Sequence, residues 1–363
     1  MTELAFTRTT AERRSQAERD AILADPGFGN YFTDHMAAIV WTKADGWQNP
    51  EILPYGPIQM DPASSALHSG QEILEGMKAY RHADGSLVAF RPEENARRLN
   101  ESARRLSLPE IPVELFVEAV RELVTIDADW VPSGADQSLY LRPFMIADES
   151  FLGVRAAERA RFLVIASPAG PYFTGGVKPV SIWLSETHSR AGRGGTGAAK
   201  CGGNYAASLL PQSEAAAQGC QQVLFTDSAT DDTIDELGGI NLFPVRADGT
   251  LLTPRLNGNI LNGITRKSLI QLAKDRGHAV EERDITVREW RAGAADGSIT
   301  EAFACGTAAV ITPIRELKTA DFTIDFGEAA PGAVTLALRE ELTGIQFGTR
   351  EDPHGWIDVL VEA

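Results

Sequence analysis

The stretch Gly194–Tyr205, GGTGAAKCGGNY, places one lysine, Lys200, among five glycines. Glycine and alanine leave the main chain open to close approach by a bulky planar group. The spacing does not fit a phosphate-binding P-loop, because that loop needs GxxxxGK followed by Ser or Thr, and here Cys201 follows the lysine. A flexible linker is disfavoured, since Tyr205 leads into a segment with helical periodicity. The stretch therefore predicts a lysine presented for covalent chemistry, with a mobile surface lysine as the plain alternative.

Composition limits the classes of protein that this chain can belong to. Its 363 residues, 43% hydrophobic and 23% charged, are typical of a globular protein with two domains. The net charge of −16 argues against a nucleic-acid partner, because phosphate backbones bind to basic faces. The three cysteines and six histidines show no metal-ligand spacing, so no metal is expected. Residues 1–20 lack the apolar core of a signal peptide, and no apolar run is long enough to cross a membrane. We expect a cytoplasmic protein.

The predicted elements divide the chain into two parts. Residues 1–170 combine short strand-like runs, separated by Gly and Pro, with helical periodicity, which favours a small α+β domain. Residues 171–179, PYFTGGVKP, have the composition of a linker. Residues 180–363 alternate strand-like and helical segments and form a larger predicted α/β domain that carries Lys200. Helices are predicted over 93–106, 115–126, 204–218, 265–276 and 334–342.

A lysine that forms a Schiff base with pyridoxal phosphate needs partners, and other segments offer them. The pyridine nitrogen should face a carboxylate, and Glu236 stands beside a Gly-Gly pair at the edge of a predicted strand. The phosphate needs a helix N-terminus and a cation. The run 262–266, NGITR, opens a predicted helix with exposed amides and a hydroxyl, and the Gly-Thr turn at Thr307 offers a second hydroxyl.

Nine segments in this order resemble the branched-chain amino-acid aminotransferases of fold type IV, especially the actinobacterial group. They are FTDHM (32–36), EGMKAYR (75–81), FRPEENARRL (90–99), SLYLRPFMI (138–146), GGTGAAKCGGNYAASLL (194–210), ELGGINLF (236–243), NGITRKSL (262–269), FACGTAAVITP (303–313) and LTGIQFG (342–348). The resemblance implies a mixed α+β and α/β fold of two domains with pyridoxal 5'-phosphate at their interface. It also implies a homodimer that transaminates branched-chain or related apolar L-amino acids with 2-oxoglutarate in a ping-pong cycle.

The resemblance also implies a role for each site residue. Lys200 is the Schiff-base lysine and proton shuttle, Tyr205 hydrogen-bonds the phenolic oxygen, and Glu236 faces the pyridine nitrogen. The phosphate is assigned to Arg98, the amides of Ile264 and Thr265, and the hydroxyl of Thr307. The substrate positions are Phe32, Ser69, Leu74, Tyr140, Arg142, Gly239, Thr307 and Ala308. A solvated helix position for Arg98, a helix-start packing role for Tyr205, a strand-core role for Tyr140 and a structural ion pair for Arg142 stay open as alternatives.

One segment departs from the family pattern. The family pattern at this place is HY-GQ-x-x-FEG, and this chain has HSGQEILEG (68–76). Ser69 therefore replaces a tyrosine, and Leu74 replaces a phenylalanine. Both aromatics line the side-chain pocket in relatives, which predicts a wider pocket for a bulkier or more polar substrate. One methylene of misfit changes the rate by about 10–200-fold. D-amino-acid aminotransferase, aminodeoxychorismate lyase and a non-catalytic relative are the other hypotheses, and the intact Lys200, Tyr205 and Glu236 argue against the last.

Overall fold

The computed structural model describes residues 5–171 and 177–363. The strands, in chain order, are β1 Thr7–Arg8, β2 His35–Thr42, β3 Gly46–Pro54, β4 Glu72–Leu74, β5 Met77–Arg81, β6 Leu87–Phe90, β7 Ser138–Ala147, β8 Arg159–Ala169, β9 Val180–Leu184, β10 Gln222–Thr226, β11 Ile234–Leu237, β12 Asn241–Arg246, β13 Leu251–Pro254, β14 Val280–Arg283, β15 Ile299–Gly306, β16 Val310–Lys318, β17 Thr323–Asp325 and β18 Ile357–Val361. The helices are α1 Gln16–Ala24, α2 Ser65–Ser69, α3 Pro92–Leu106, α4 Val113–Ile126, α5 Gly202–Ala206, α6 Leu209–Ala217, α7 Ile264–Asp275, α8 Val287–Asp296 and α9 Ala333–Gln346. Within the described residues, none of these helices has the length and apolar character needed to span a bilayer.

The described residues form two compact units. The first contains the described residues up to 171 together with Ala199–Gly202 and Ile345–Ala363, and the second contains 177–198 and Gly203–Gly344. Lys200 and the last strand, predicted to lie in the C-terminal part, thus group with the first unit, because their hydrogen bonds run to β4, α3 and β6. Of the predicted linker 171–179, residues 172–176 lie outside the described residues. The domain division itself stays a prediction.

The first unit is built on one mostly antiparallel sheet with strand order β1-β3-β2-β8-β7-β5-β6-β18, and β4 pairs with β7. The central pair β7 and β8 is in register from Ser138↔Ala169 to Ala147↔Ala160. Helices α3 and α4 supply the apolar faces of its core. On α3 the buried Ala96, Leu99 and Ala103 follow helical periodicity, as the sequence predicts.

The second unit contains another sheet, with strand order β11-β10-β9-β16-β15-β12-β13-β14 and β17 paired to β16. Strands β10, β9 and β16 are parallel neighbours, whereas β16, β15 and β12 are antiparallel. The single helix predicted over 204–218 is wrong, because the structure has two helices, α5 and α6, there. Pro211 lies in the first turn of α6, and its missing N–H prevents the bond that a continuous helix requires at this point.

Candidate active site

The main chain around Lys200 is fixed on both sides by hydrogen bonds within the first unit. The carbonyl oxygen of Lys200 accepts from the amide of Leu74 in β4 at 2.9 Å. The amide of Lys200 donates to Ser102 Oγ of α3, also at 2.9 Å. Two residues later, the amide of Gly202 donates to the Glu72 carboxylate, and any Cβ at Gly202 would overlap that carboxylate. The half-buried Lys200 is therefore anchored by its backbone between a strand and a helix, not carried on a mobile loop.

Arg98 forms a buried ion pair with Glu75. Its Nε and Nη2 donate to the two carboxylate oxygens of Glu75 at 2.8 Å each, and the side chains are 6% and 0% exposed. Asn95, one turn earlier on α3, donates to the same carboxylate at 2.7 Å. Arg98 is therefore not a solvated helix arginine. A guanidinium held by two parallel bonds has a defined orientation, as a phosphate-binding arginine requires.

Glu236 lies in β11 of the second unit, where two hydrogen-bond donors and one cation hold its carboxylate. Oε1 accepts from the amide of Leu261 at 3.0 Å and forms an ion pair with Arg190 Nη1 at 2.9 Å. Oε2 accepts from Asn241 Nδ2 at 3.2 Å. The Arg190 and Glu236 side chains are only 4% and 2% exposed. The carboxylate is thus fixed in direction, with a buried cation as its counter-charge.

The N-terminus of α7 begins with Ile264 and Thr265, the two residues assigned to the phosphate. Gly263 is the N-cap residue, and no side chain of the described residues caps this end. The first amides of a helix and its dipole together attract anions. Asn241 connects this end to Glu236, because its Nδ2 also donates to the carbonyl of Leu261 at 3.0 Å, and a Cβ at Gly263 would overlap its Oδ1.

Four further predicted residues lie in the second unit. The ring of Tyr205 packs against Gly239, where an added Cβ would come within 3.1 Å of the ring. Thr307 and Ala308 form the turn between β15 and β16, and Val310 after it has φ 61°. A β-branched residue in the left-handed region is strained by about 1–3 kcal/mol, so the surrounding structure must hold this turn in place.

The predicted substrate residues of the first unit fall into separate groups. Tyr140 and Arg142 of β7 contact each other, with Arg142 Nη2 donating to Tyr140 Oη at 2.9 Å. The buried Nε of Arg142 has no hydrogen-bond partner among the described residues. Phe32 stacks on Tyr55 at 4.8 Å between ring centroids. Leu74 touches the Lys200 backbone as described above, whereas the exposed Ser69 bonds to Ser65 of its own helix.

Four residues that contact a candidate site residue have no role assigned from the sequence. They are Glu75, Arg190, Asn241 and Ser102, and each forms an ion pair or a hydrogen bond with Arg98, Glu236 or Lys200. Glu75 carries one signal, because an acidic residue between Leu74 and Gly76 interrupts a run that is otherwise apolar. Arg190 stands near one other arginine, Arg193, in a glycine-rich stretch, and nothing in that pattern distinguishes the two.

Each unit, taken by itself, carries groups of the kinds that bind pyridoxal phosphate. The first unit supplies a half-buried amine, Lys200, together with the oriented guanidinium of Arg98. The second supplies the fixed carboxylate of Glu236 and the helix start at Ile264. An aldehyde, a pyridine nitrogen and a phosphate require these four kinds of group.

Comparison with known proteins places the chain in a family. Residues 72–317 match the class IV aminotransferase family, and the chain belongs to that family. It is 57% identical over 347 residues to the branched-chain-amino-acid aminotransferase of Mycolicibacterium smegmatis, covering 94% of each chain. It is 52% identical over 354 residues to a probable branched-chain-amino-acid aminotransferase of Streptomyces coelicolor, covering 97% of this chain and 98% of the other.

Solved structures agree with this assignment. The Escherichia coli branched-chain amino acid aminotransferase superposes with a TM-score of 0.73 at 29% identity, covering 89% of this chain and 99% of that one. The enzyme of the archaeon Thermoproteus uzoniensis, solved with norvaline, gives a TM-score of 0.72 at 27% identity, with the same coverage. Another branched-chain amino acid aminotransferase among the structural neighbours was solved with pyridoxamine 5'-phosphate. The resemblance and the fold class predicted from the sequence, a mixed α/β fold of type IV, are therefore confirmed.

Proposed function

We propose that this protein is a pyridoxal-phosphate-dependent aminotransferase acting on branched-chain L-amino acids, with 2-oxoglutarate as the acceptor. The observation that carries the proposal is its identity of 52–57%, over nearly the whole chain, to actinobacterial relatives that bear this name. The anchored Lys200 and the anchored Glu236 support it, since a non-catalytic relative has no need to keep both.

Pyridoxal phosphate, when bound, supplies an aldehyde that condenses with amino groups and a ring that withdraws electrons from the substrate carbon. With the cofactor bound, Lys200 Nζ would hold it at the aldehyde carbon, and once displaced by the amino group of the substrate the free amine would carry the proton removed from Cα. Glu236 accepts the hydrogen bond of the pyridine nitrogen, and Tyr205 Oη donates to the phenolic oxygen. The family resemblance assigns both sets of residues to one cofactor.

The remaining residues bind the anionic groups and the substrate. Arg98, the amides of Ile264 and Thr265 and the hydroxyl of Thr307 bind the phosphate. The turns at Gly239 and at Thr307–Ala308 receive the substrate carboxylate. The pocket for the side chain of the substrate is lined by Phe32, Ser69, Leu74, Tyr140 and Arg142.

The substrate range is the point at which this chain differs from the family. With Ser69 and Leu74 in place of two aromatics, we propose a pocket that also accepts side chains larger than those of Leu, Ile and Val. The other activities of the fold, on D-amino acids or aminodeoxychorismate, are tested by the same substrate panel. We also propose a cytoplasmic homodimer, and sedimentation equilibrium of the purified protein tests its oligomeric state.

Borohydride reduction tests the central assignment. In the purified, cofactor-loaded protein, reduction should attach the cofactor irreversibly to the peptide that contains Lys200, as mass spectrometry of a digest would show. The variant Lys200→Ala should lose the visible absorbance and the transaminase activity. Lys43→Ala, at an exposed lysine paired to Glu158 at 2.9 Å, is the matched control and should retain both. Full activity in Lys200→Ala would refute the proposal.

A further inference from the structure

One buried carboxylate, that of Glu75, stands beside two of the proposed cofactor residues. Resting on the proposed function, we propose that Glu75 is a positioning residue of the reaction. Its carboxylate is the buried counter-charge of Arg98, and it orients the guanidinium that the family resemblance assigns to the cofactor phosphate.

Hydrogen bonds join Glu75 to Arg98 directly and to the main chain of Lys200 through its neighbour Leu74. Glu75 follows Leu74, whose amide bonds to the carbonyl of Lys200 at 2.9 Å. Its own amide donates to the carbonyl of Pro143 in β7 at 2.7 Å, which fixes the backbone. Its side chain points to α3, where both oxygens bind Arg98 at 2.8 Å. A second path joins the same residues, because Ser102 Oγ accepts from the Lys200 amide and donates to the carbonyl of Arg98 at 3.1 Å.

The charges around Glu75 come from two elements. Burial on its own would raise the pKa of the Glu75 carboxyl, but the Arg98 guanidinium on α3 and the Lys200 ammonium beside β4 hold it below its ordinary value. Glu72 of β4 interacts with Arg142 of β7. Burial raises the pKa of the Glu72 carboxyl, and the Gly202 amide and Arg142 offset part of that rise. Glu75 is thus the anion on which both cations act.

The arrangement has a direct electrostatic consequence. A carboxylate that is completely buried is costly unless it is paired and hydrogen-bonded. Here Arg98 and Asn95 both donate to the carboxylate, and the two-point contact holds the guanidinium in one orientation.

Two substitutions separate the charge of Glu75 from its geometry. Glu75→Gln keeps the length of the side chain but removes the charge, so the Kd for pyridoxal phosphate should rise about tenfold, whereas the Kd for pyridoxal, which carries no phosphate, should stay the same. Glu75→Asp keeps the charge but is one methylene shorter and breaks the two-point contact with Arg98. It should raise the Kd for pyridoxal phosphate by a smaller factor.

The control is Glu93→Gln, at an exposed glutamate on the same helix that pairs with Arg97. It should change neither quantity. An unchanged Kd for pyridoxal phosphate in Glu75→Gln, or an equal rise in its Kd for pyridoxal, would overturn the inference. If Glu75→Gln does not fold, the Kd of Glu75→Asp decides alone. If borohydride does not label Lys200 in the wild type, the proposed function itself is wrong. If the wild type is labelled but the Glu75 variants bind pyridoxal phosphate as the wild type does, only the inference about Glu75 is wrong.

Discussion

The guanidinium of Arg190 lies 2.9 Å from the carboxylate of Glu236, and both side chains are almost completely buried. Removing one member of a buried pair leaves the other charge without compensation, at a cost of about 3–5 kcal/mol. We therefore expect Arg190→Met, which is similar in length but neutral, to lower the free energy of unfolding by that amount. Urea unfolding followed by circular dichroism measures it.

An exposed pair in the same unit provides the control for this prediction. Arg288 pairs with Asp232 at 2.7 Å, but its side chain is 86% exposed. Surface pairs contribute about 0–1 kcal/mol, so Arg288→Met should have little effect. Equal losses in the two variants would contradict the interpretation that the buried cation compensates Glu236.

Two neighbouring glycines after Lys200 should respond differently to alanine. A Cβ at Gly202 overlaps the Glu72 carboxylate, whereas a Cβ at Gly203 meets no atom within 4 Å. Gly202→Ala must displace Glu72 and lose the bond that fixes the lysine loop, so the melting temperature of the cofactor-free protein should fall. Gly203→Ala should leave it unchanged or raise it slightly, because alanine suits a helix better than glycine by about 0.5–1 kcal/mol. The reverse order would show that Glu72 does not hold the loop.

The stability of the protein should depend on pH through Glu72. Burial raises the pKa of this carboxyl, and the Gly202 amide and Arg142 offset the effect only in part. A carboxyl with a raised pKa binds its proton more tightly in the folded state, so its contribution to stability is present at low pH and is lost as the pH rises through the folded pKa.

Glu72→Gln keeps an oxygen for the Gly202 amide but cannot ionise. Its stability relative to the wild type should therefore increase between about pH 4 and about pH 7. Urea unfolding at several pH values within that range measures the difference. A constant difference, or one that decreases with pH, would be inconsistent with a raised pKa.

The substrate range should respond to Leu74. If the missing aromatic widens the pocket, the wild type should convert Phe and Met with kcat/KM comparable to that for Leu, Ile and Val. Leu74→Phe should then reduce the rate for the two larger substrates about 10–200-fold and spare the branched ones. A wild type that sharply prefers the three branched substrates would contradict the wide pocket. Including the D-enantiomers in the panel tests the alternative activities of the fold.

Local patterns in the sequence predict most of the secondary structure in this chain. Helix α3 runs from Pro92 to Leu106 and the prediction from 93 to 106, because proline, acidic residues at the start and periodic apolar residues all agree. Strand β7, Ser138–Ala147, is predicted from the sequence because the segment is rich in branched and aromatic residues. Pro211 marks the break between α5 and α6, because a proline inside a continuous helix over 204–218 would remove a backbone hydrogen bond, but the helical periodicity of that segment favours one helix.

Residues that act through pairs are harder to predict, because pairing depends on contacts between distant positions. Arg190 and Glu236 are far apart in sequence, and no local pattern in either segment indicates the other as its partner. The partners of Arg98 could not be predicted for the same reason: Glu75 lies on the sheet side and Arg98 on a helix. The family resemblance supplies roles for individual positions, but it does not identify the neighbours that set their charge and direction.

The pairing of β18 with β6 has a consequence for how the protein is made. Val359 lies opposite Val88 and Ile357 opposite Phe90, so the first sheet obtains this edge strand from a segment that is translated after all its other strands. Until then β6 presents an open edge to other nascent chains, and an open edge is a template for aggregation. A message interrupted before the codon for Ile357 should therefore yield insoluble protein, even though every proposed site residue would already have been synthesised.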